Sequence, residues 1–230
     1  MIKEANWSHF TEIDVWIFDL DNTLYPAHCN LFAQMDVKMG EFVANFLDIS
    51  YDEAKKLQKQ YFSEYGTTLN GLMTCHGLEP QDYLDYVHDI DITHIERDER
   101  LNSALEQIDG RKIIFTNAST AHAMNVSRQL GIDHHFEDVF DIHKTNFVPK
   151  PEKSVYEQLI SDLDINPNRS VFFEDMAKNL KPAHELGMKT VWIPNQEKWS
   201  HEQATGDHIH HIAEDLGDWL TELISSRNAI

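Results

Sequence analysis

The sequence predicts an α/β protein: a doubly wound parallel sheet, interrupted after its first strand by an inserted bundle of four helices. Three observations carry this. The apolar run Val15-Trp16-Ile17-Phe18 leads straight into Asp19 and Asp21, as a buried parallel strand does when its carboxylates emerge at the C-terminal end. From Lys112 onward strand and helix patterns alternate, as in a βαβ series with right-handed crossovers. Between these two parts the spacing of apolar residues is helical throughout.

The elements follow in order. Leu31, Met35, Met39, Phe42, Val43, Phe46 and Leu47 recur at helical spacing, which predicts an amphipathic helix over residues 30–47. Ser50-Tyr51-Asp52-Glu53 reads as a capping box that opens a second helix carrying Leu57 and Tyr61. Leu69, Leu72 and Met73 mark a short third helix, and Pro80 starts a fourth with Tyr83, Leu84 and Val87. We therefore expect a core domain of residues 1–26 and 99–230 and a helical cap subdomain of residues 27–98. In the core, Lys112 to Phe115 is a strand ending in Thr116-Asn117. A helix from Thr120 to Leu130 is closed by Gly131. Residues 136–142 hold a short strand or turn, and Pro151 is the expected first position of a helix through Leu159. Val171 to Phe173 is a strand ending in Glu174-Asp175, and the helix after it stops near Gly187. Thr190 to Ile193 is a further strand, and a final helix is expected over residues 213–224.

Composition narrows the function classes. At 230 residues with 41% hydrophobic content, the chain can bury a sizeable core. A formal net charge of −20 argues against a binder of nucleic-acid polymers, which needs a basic face. Cys29 and Cys75 cannot build a disulfide framework, which suits a reducing compartment. The start of the chain has no apolar signal core, and no stretch is apolar enough to span a bilayer. The expectation is a soluble cytoplasmic protein with no membrane partner. The fourteen histidines, among them His208, His210 and His211, lack cysteine partners and read as solvated surface.

Four polar groups follow strands or open a helix: Asp19 and Asp21, Thr116 and Asn117, Lys150, and Glu174 with Asp175. In a parallel sheet such ends converge on one edge, where ligands bind. Taken alone, Lys150 reads as a solvated loop lysine; its place in the order of motifs argues otherwise. D-x-D-N-T at Asp19 to Thr23, then T-N, K-P and E-D, resembles the haloacid dehalogenase superfamily, in the branch with a helical cap. The resemblance implies a Rossmann-like core and a role for each residue. Asp19 is the nucleophile that forms an aspartyl-phosphate. Asp21 is the acid/base that protonates the leaving alkoxide and then activates water. Thr116 and the Asn117 backbone hold phosphoryl oxygens, and Lys150 bridges nucleophile and phosphate. Mg²⁺ is held by the Asp19 carboxylate, the Asp21 carbonyl and Asp175, with Glu174 in or near the metal shell. Met176 departs from the small polar residue common at that position.

Charge explains the need for the metal. A carboxylate about 4 Å from a phosphate dianion meets roughly 8 kcal/mol of repulsion at an effective dielectric near 20. One lysine cannot cancel that beside Glu174 and Asp175, whereas a divalent, oxygen-seeking cation with Lys150 can.

In the cap, Tyr61 to Met73, with Tyr65-Gly66 and Gly71-Leu72, followed by His76, is similar to the pyrimidine 5′-nucleotidase branch. That implies a nucleoside 5′-monophosphate such as UMP or CMP as substrate. Tyr65 would stack on the base and Gly66 would make a tight turn over the site. The alternatives are a phosphatase or mutase for sugar phosphates, which shares the core, and a phospho-accepting signalling domain, which needs no water-excluding cap. Dehalogenation needs no second catalytic aspartate, and Asp21 is present.

Overall fold

The computed structural model describes residues 5–227; the start of the chain at residues 1–4, read above for its lack of a signal core, lies outside the described residues. Six strands form one parallel sheet in the order β3-β2-β1-β4-β5-β6: β1 Val15–Phe18, β2 Arg111–Phe115, β3 Asp138–Phe140, β4 Ser170–Glu174, β5 Lys189–Trp192 and β6 His211–Ile212. The strand with no polar residue, β1, takes the centre, where both faces are covered. Its alternation assigns the faces. Trp16 and Phe18 enter one core with α5 (Glu99–Gln107), α6 (Thr120–Leu130) and α9 (Leu216–Arg227). Val15 and Ile17 enter the other with α7 (Lys153–Asp162) and α8 (Ala177–Glu185).

Four helices lie between β1 and the core helix α5: α1 Leu31–Leu47, α2 Tyr51–Tyr65, α3 Thr68–His76 and α4 Pro80–His88. Ser50 and Glu53 form the expected capping box, and Pro80 occupies the first turn of α4. These helices bury a core of their own around Val43, Ala54, Leu72 and Val87, which Ile142 of the sheet domain joins.

Several elements differ from the sequence reading. Helix α5 was not foreseen, although Leu101, Ala104 and Leu105 have helical spacing and the Asp98 side chain caps it by accepting from the Leu101 amide. Helix α7 starts at Lys153, not Pro151. Lys150 is held by Asn117 on both backbone polar groups, and Glu152 stays extended at φ −60°, ψ 123° before the helix can begin. The last helix begins at Leu216 and runs to Arg227.

The C-terminal histidines are not a solvated surface. His211 is 2% exposed in edge strand β6 and packs on Phe10, while His210 Nδ1 lies 2.8 Å from the Thr190 hydroxyl. Burial pushes both His210 and His211 down to about 4. Among the described residues Cys29 and Cys75 are free thiols, and no helix is long and apolar enough to cross a membrane.

Candidate active site

Strand register delivers the site before any side chain is considered. Phe18 lies opposite Ile114 in β2 and Phe173 in β4, so Asp19, Phe115 and Glu174 end at one level. The Asp19 amide donates to the Phe173 carbonyl at 2.9 Å, which carries the register one residue past the strand. Thr116 and Asp175 follow directly from the neighbouring strand ends.

Lys150 reaches this edge from the loop before α7. Its Nζ donates to Asp19 Oδ1 at 2.7 Å, to Glu174 Oε2 at 2.8 Å and to the Phe115 carbonyl at 2.9 Å, which uses all three protons. The Asn117 side chain clamps the same loop. Its Oδ1 accepts from the Lys150 amide at 2.8 Å and its Nδ2 donates to the Lys150 carbonyl at 3.4 Å. The Lys150-Pro151 peptide is cis. Thr23 donates to Asp19 Oδ2 at 3.2 Å, and Thr116 Oγ1 accepts from the Ala118 amide at 3.0 Å.

Asp21 sits in the turn after β1, where Asn22 takes the left-handed φ of 60° that asparagine tolerates. Asp21 Oδ1 accepts from the Tyr25 hydroxyl at 2.6 Å and from His122 Nε2 at 2.9 Å. On the other side, Asp175 Oδ2 accepts from Asn195 Nδ2 at 2.9 Å, while its carbonyl accepts from Trp192 Nε1 and Ser200 Oγ. Met176 contributes through its backbone. Its amide donates to Glu174 Oε1 at 3.1 Å, so its side chain is not needed for that contact.

A cavity of about 540 Å³ rises from these groups toward the inserted helices. Its roof is mixed, with Phe32, Met35 and Met39 from α1 and Phe62 from α2 beside Asp36, Gln58 and Lys59, and with the Lys178 ammonium 4.7 Å from the centre of the Phe62 ring. Gly66 borders it at φ 81°, and a Cβ there would lie 3.1 Å from Pro149 Cγ, against the loop that carries Lys150. Tyr65 is not part of the lining. Its ring packs edge-on against Tyr61 at 5.7 Å and its hydroxyl accepts from Cys75 Sγ at 3.2 Å, drawn to the face that meets α3. Phe62 is the aromatic ring from α2 that faces the cavity.

Residues 13–187 match the family described as haloacid dehalogenase-like hydrolases. The chain belongs to the haloacid dehalogenase-like hydrolases. Among curated proteins it is 28% identical over 215 residues to phosphate metabolism protein 8 of Saccharomyces cerevisiae, covering 84% of this chain and 66% of that protein. The chain thus spans just under two thirds of the length of that relative. Two solved structures share the fold. CbbY from Rhodobacter sphaeroides, in complex with xylulose 1,5-bisphosphate, aligns with a TM-score of 0.65 at 16% identity, over 90% of this chain and 96% of its own. A HAD phosphatase from Thermococcus onnurineus aligns with a TM-score of 0.59 at 18% identity, over 93% and 97%.

In this hydrolase the electrostatics ask for a cation. Oxygens of Asp19, Glu174 and Asp175, all buried, lie within 4.8 Å of one another, and Lys150 is the ammonium paired with Asp19 and Glu174. Burial and Glu174 push Asp19 up to about 7 against the pull of Lys150. Burial, Glu174 and Asp19 push Asp175 well above the usual carboxylate range. An all-oxygen donor set with surplus negative charge fits a hard divalent ion such as Mg²⁺. Both Glu174 oxygens already have donors, Lys150 and the Met176 amide, and both Asp19 oxygens have Lys150 and Thr23, so an ion seated among the three carboxylates shares these oxygens with donors already in place. The Asp21 carboxylate lies outside the cluster. Burial pushes it up, but His122 and the Tyr25 hydroxyl outweigh that and keep it below the usual range.

Tyr25, His122 and Asn195 were not singled out from the sequence. Tyr25 carries a local signal, four residues beyond Asp21. His122 lies 101 residues from Asp21, and only the folded chain brings the two together.

Proposed function

We propose that this hydrolase is a Mg²⁺-dependent phosphomonoesterase that works through an aspartyl-phosphate on Asp19 and acts on pyrimidine nucleoside 5′-monophosphates, with residues 27–98 as a cap over the core of residues 1–26 and 99–230. The observation that carries the reading is the pair of differently equipped carboxylates: Asp19 is bound by Lys150 at 2.7 Å, and Asp21, two residues on, is held by Tyr25 and His122. A hydrolase that cleaves an ester through a covalent aspartate needs both a nucleophile and a separate proton carrier.

Asp19 attacks phosphorus, and the bond from phosphorus to the ester oxygen breaks. Asp21 gives its proton to the departing alkoxide. Water then attacks the phosphorus of the aspartyl-phosphate, Asp21 takes the proton, and the Asp19–phosphorus bond breaks to release phosphate. Lys150 and donors near Thr116 and Asn117 stabilise the charge that spreads over the phosphoryl oxygens. Mg²⁺, when bound by Asp19, Asp175 and the Asp21 carbonyl, supplies the positive field that lets two anions approach.

For the substrate, the support is the pair of rings Phe32 and Phe62 in a roof that also carries Asp36, Gln58 and Lys59, which suits a flat ring with polar edges, and the resemblance of residues 61–73 to the pyrimidine nucleotidase branch. Phosphate release from a panel of nucleotides and sugar phosphates, with and without Mg²⁺, tests it. UMP or CMP should lead; a sugar phosphate in first place would move the reading to a sugar-phosphate phosphatase.

A further inference from the structure

Asp21 sits in an environment that proton transfer alone does not require. Two donors, Tyr25 and His122, converge on the same carboxylate oxygen, Oδ1, at 2.6 and 2.9 Å. Because a carboxylate only accepts, His122 carries its proton on Nε2. Two fixed donors on one oxygen set the rotation of the carboxylate and leave Oδ2 for a proton and a leaving group. Both donor residues are buried, His122 at 2% exposure and Tyr25 at 1%. A surface contact of this kind would be exchanged for water; here that exchange is blocked.

His122 is itself held from two directions. It lies in the first turn of α6, where its amide donates to the N-cap Ser119 Oγ at 3.3 Å. From the other direction comes His88, the last residue of α4 in the inserted bundle. Its ring stacks on the His122 ring with centroids 4.4 Å apart and planes 16° from parallel. His88 Nδ1 lies 3.1 Å from the Ser119 hydroxyl, so the inserted helices grip both the N-cap of α6 and the ring it presents. His88 also lines the cavity over the catalytic carboxylates.

We propose that His122 is the positioning residue of Asp21, and that His88 couples the seating of the inserted helices to it, so that the acid/base is aimed only when those helices are docked. The inference rests on the acid/base role given to Asp21 above. It adds how that carboxylate is oriented and which contact reports the position of the bundle.

The test compares two phosphomonoesters that differ in their need for an acid. p-Nitrophenyl phosphate expels a phenolate that leaves without a proton, whereas an alkyl phosphate such as UMP must have its leaving oxygen protonated. His122→Ala should lower kcat/KM, which reports the steps through departure of the leaving group and not the later attack of water, by roughly 10- to 100-fold for UMP, up to the low end of what a general acid supplies, and should change kcat/KM for p-nitrophenyl phosphate by less than about threefold. His88→Ala should show the same selectivity at smaller size. His122→Gln keeps an N–H donor on a side chain of similar reach and should recover part of the UMP rate. The double variant Asp21→Asn/His122→Ala should be no slower than Asp21→Asn, because His122 acts through Asp21. Equal losses of kcat/KM on both substrates, or additive losses in the double variant, would overturn the proposal and leave His122 a packing residue. If instead the wild-type protein releases no phosphate from any phosphomonoester with Mg²⁺, the phosphatase reading itself fails, and that result is visible before any variant is made.

Discussion

Removing divalent metal should change the pH dependence of folding in a way set by Asp19. The Asp19 carboxyl is held up at about 7 in the metal-free fold, against 3.8 in an unperturbed chain. Between those values the folded protein keeps a proton that the unfolded chain has released. Stability in EDTA therefore falls as pH rises through that window. The interval is about three pH units, and at 1.36 kcal/mol per unit it corresponds to about 4 kcal/mol. Mg²⁺ displaces that proton, so its binding strengthens with pH by up to tenfold per unit. The assay is urea unfolding at pH 4, 5, 6 and 7 in EDTA and in saturating Mg²⁺, compared as the difference between the two curves. Histidines and other groups away from the metal titrate in both conditions and cancel in that difference, whereas Asp175, also pushed up, adds to the contribution of Asp19. The Mg²⁺ increment should be near zero at pH 4 and climb toward pH 7 with a slope approaching about 1.4 kcal/mol per unit for each carboxyl proton the ion displaces. An increment that is independent of pH, or absent at pH 7, would refute the placement of the metal on Asp19 and Asp175.

Asp19→Asn should abolish turnover while the protein still folds, because the amide is nearly isosteric but cannot form the acyl phosphate; in EDTA it should also lose the part of the fall in stability with rising pH that Asp19 contributes in wild type. Phosphate release and urea melts check both halves. Phe62→Ala should lower kcat/KM for UMP more than for p-nitrophenyl phosphate, by about 1–3 kcal/mol if a base stacks there. Tyr65→Ala, whose ring faces Tyr61 and Cys75, should leave that ratio unchanged. Burial holds His210 and His211 down at about 4, so the fold excludes protons that the unfolded chain binds below pH 6.5, and stability should drop as pH falls from 6.5 through 4. His211→Gln should flatten that acid limb in urea melts run without metal; an unchanged limb would point to other groups.

What was legible in the sequence was what is local. The run Val15 to Phe18 announces a buried central strand, so the emergence of Asp19 at its C-terminal end follows from strand geometry alone. The motif order placed Thr116, Lys150, Glu174 and Asp175 at the same edge, and the register of β1 with β2 and β4 explains why they meet. Capping residues were readable because they act within one turn, as Ser50 and Gly131 do. The roof was less legible. Tyr65 and Phe62 are both aromatic and three residues apart on α2, and nothing in the spacing says which ring α3 will claim. His122 had no readable signal because its partner is 101 residues away. The buried histidine of β6, His211, was misread for a related reason: a two-residue edge strand has too little periodicity to show.

The acidic surface and the anionic substrate can be reconciled by distance. A net charge of −20 repels a phosphate in bulk solution, but salt screens surface charges beyond about 8 Å at physiological ionic strength. Inside the cavity the balance is set by a handful of buried groups, and there Lys150 is fixed before substrate arrives. Its backbone is clamped by Asn117, its three protons are taken by Asp19, Glu174 and Phe115, and its ammonium lies 5.0 and 5.3 Å from the ring centroids of Phe115 and Phe172. A lysine with this little freedom gives up its rotamer entropy on folding rather than at the reaction step. Glu174 complements it. As a permanent partner of Lys150, Glu174 keeps the ammonium charged and aimed even while Asp19 is consumed as the acyl phosphate and loses its negative charge. Replacing Glu174 by Gln should therefore slow breakdown of the phosphoenzyme more than its formation, because Asp19 supports Lys150 only in the free enzyme. Rapid-quench measurement of phosphate release against leaving-group release separates the two steps. A burst of leaving group in Glu174→Gln that is absent in wild type is the expected result, and equal slowing of both steps would show that Glu174 acts on the metal instead.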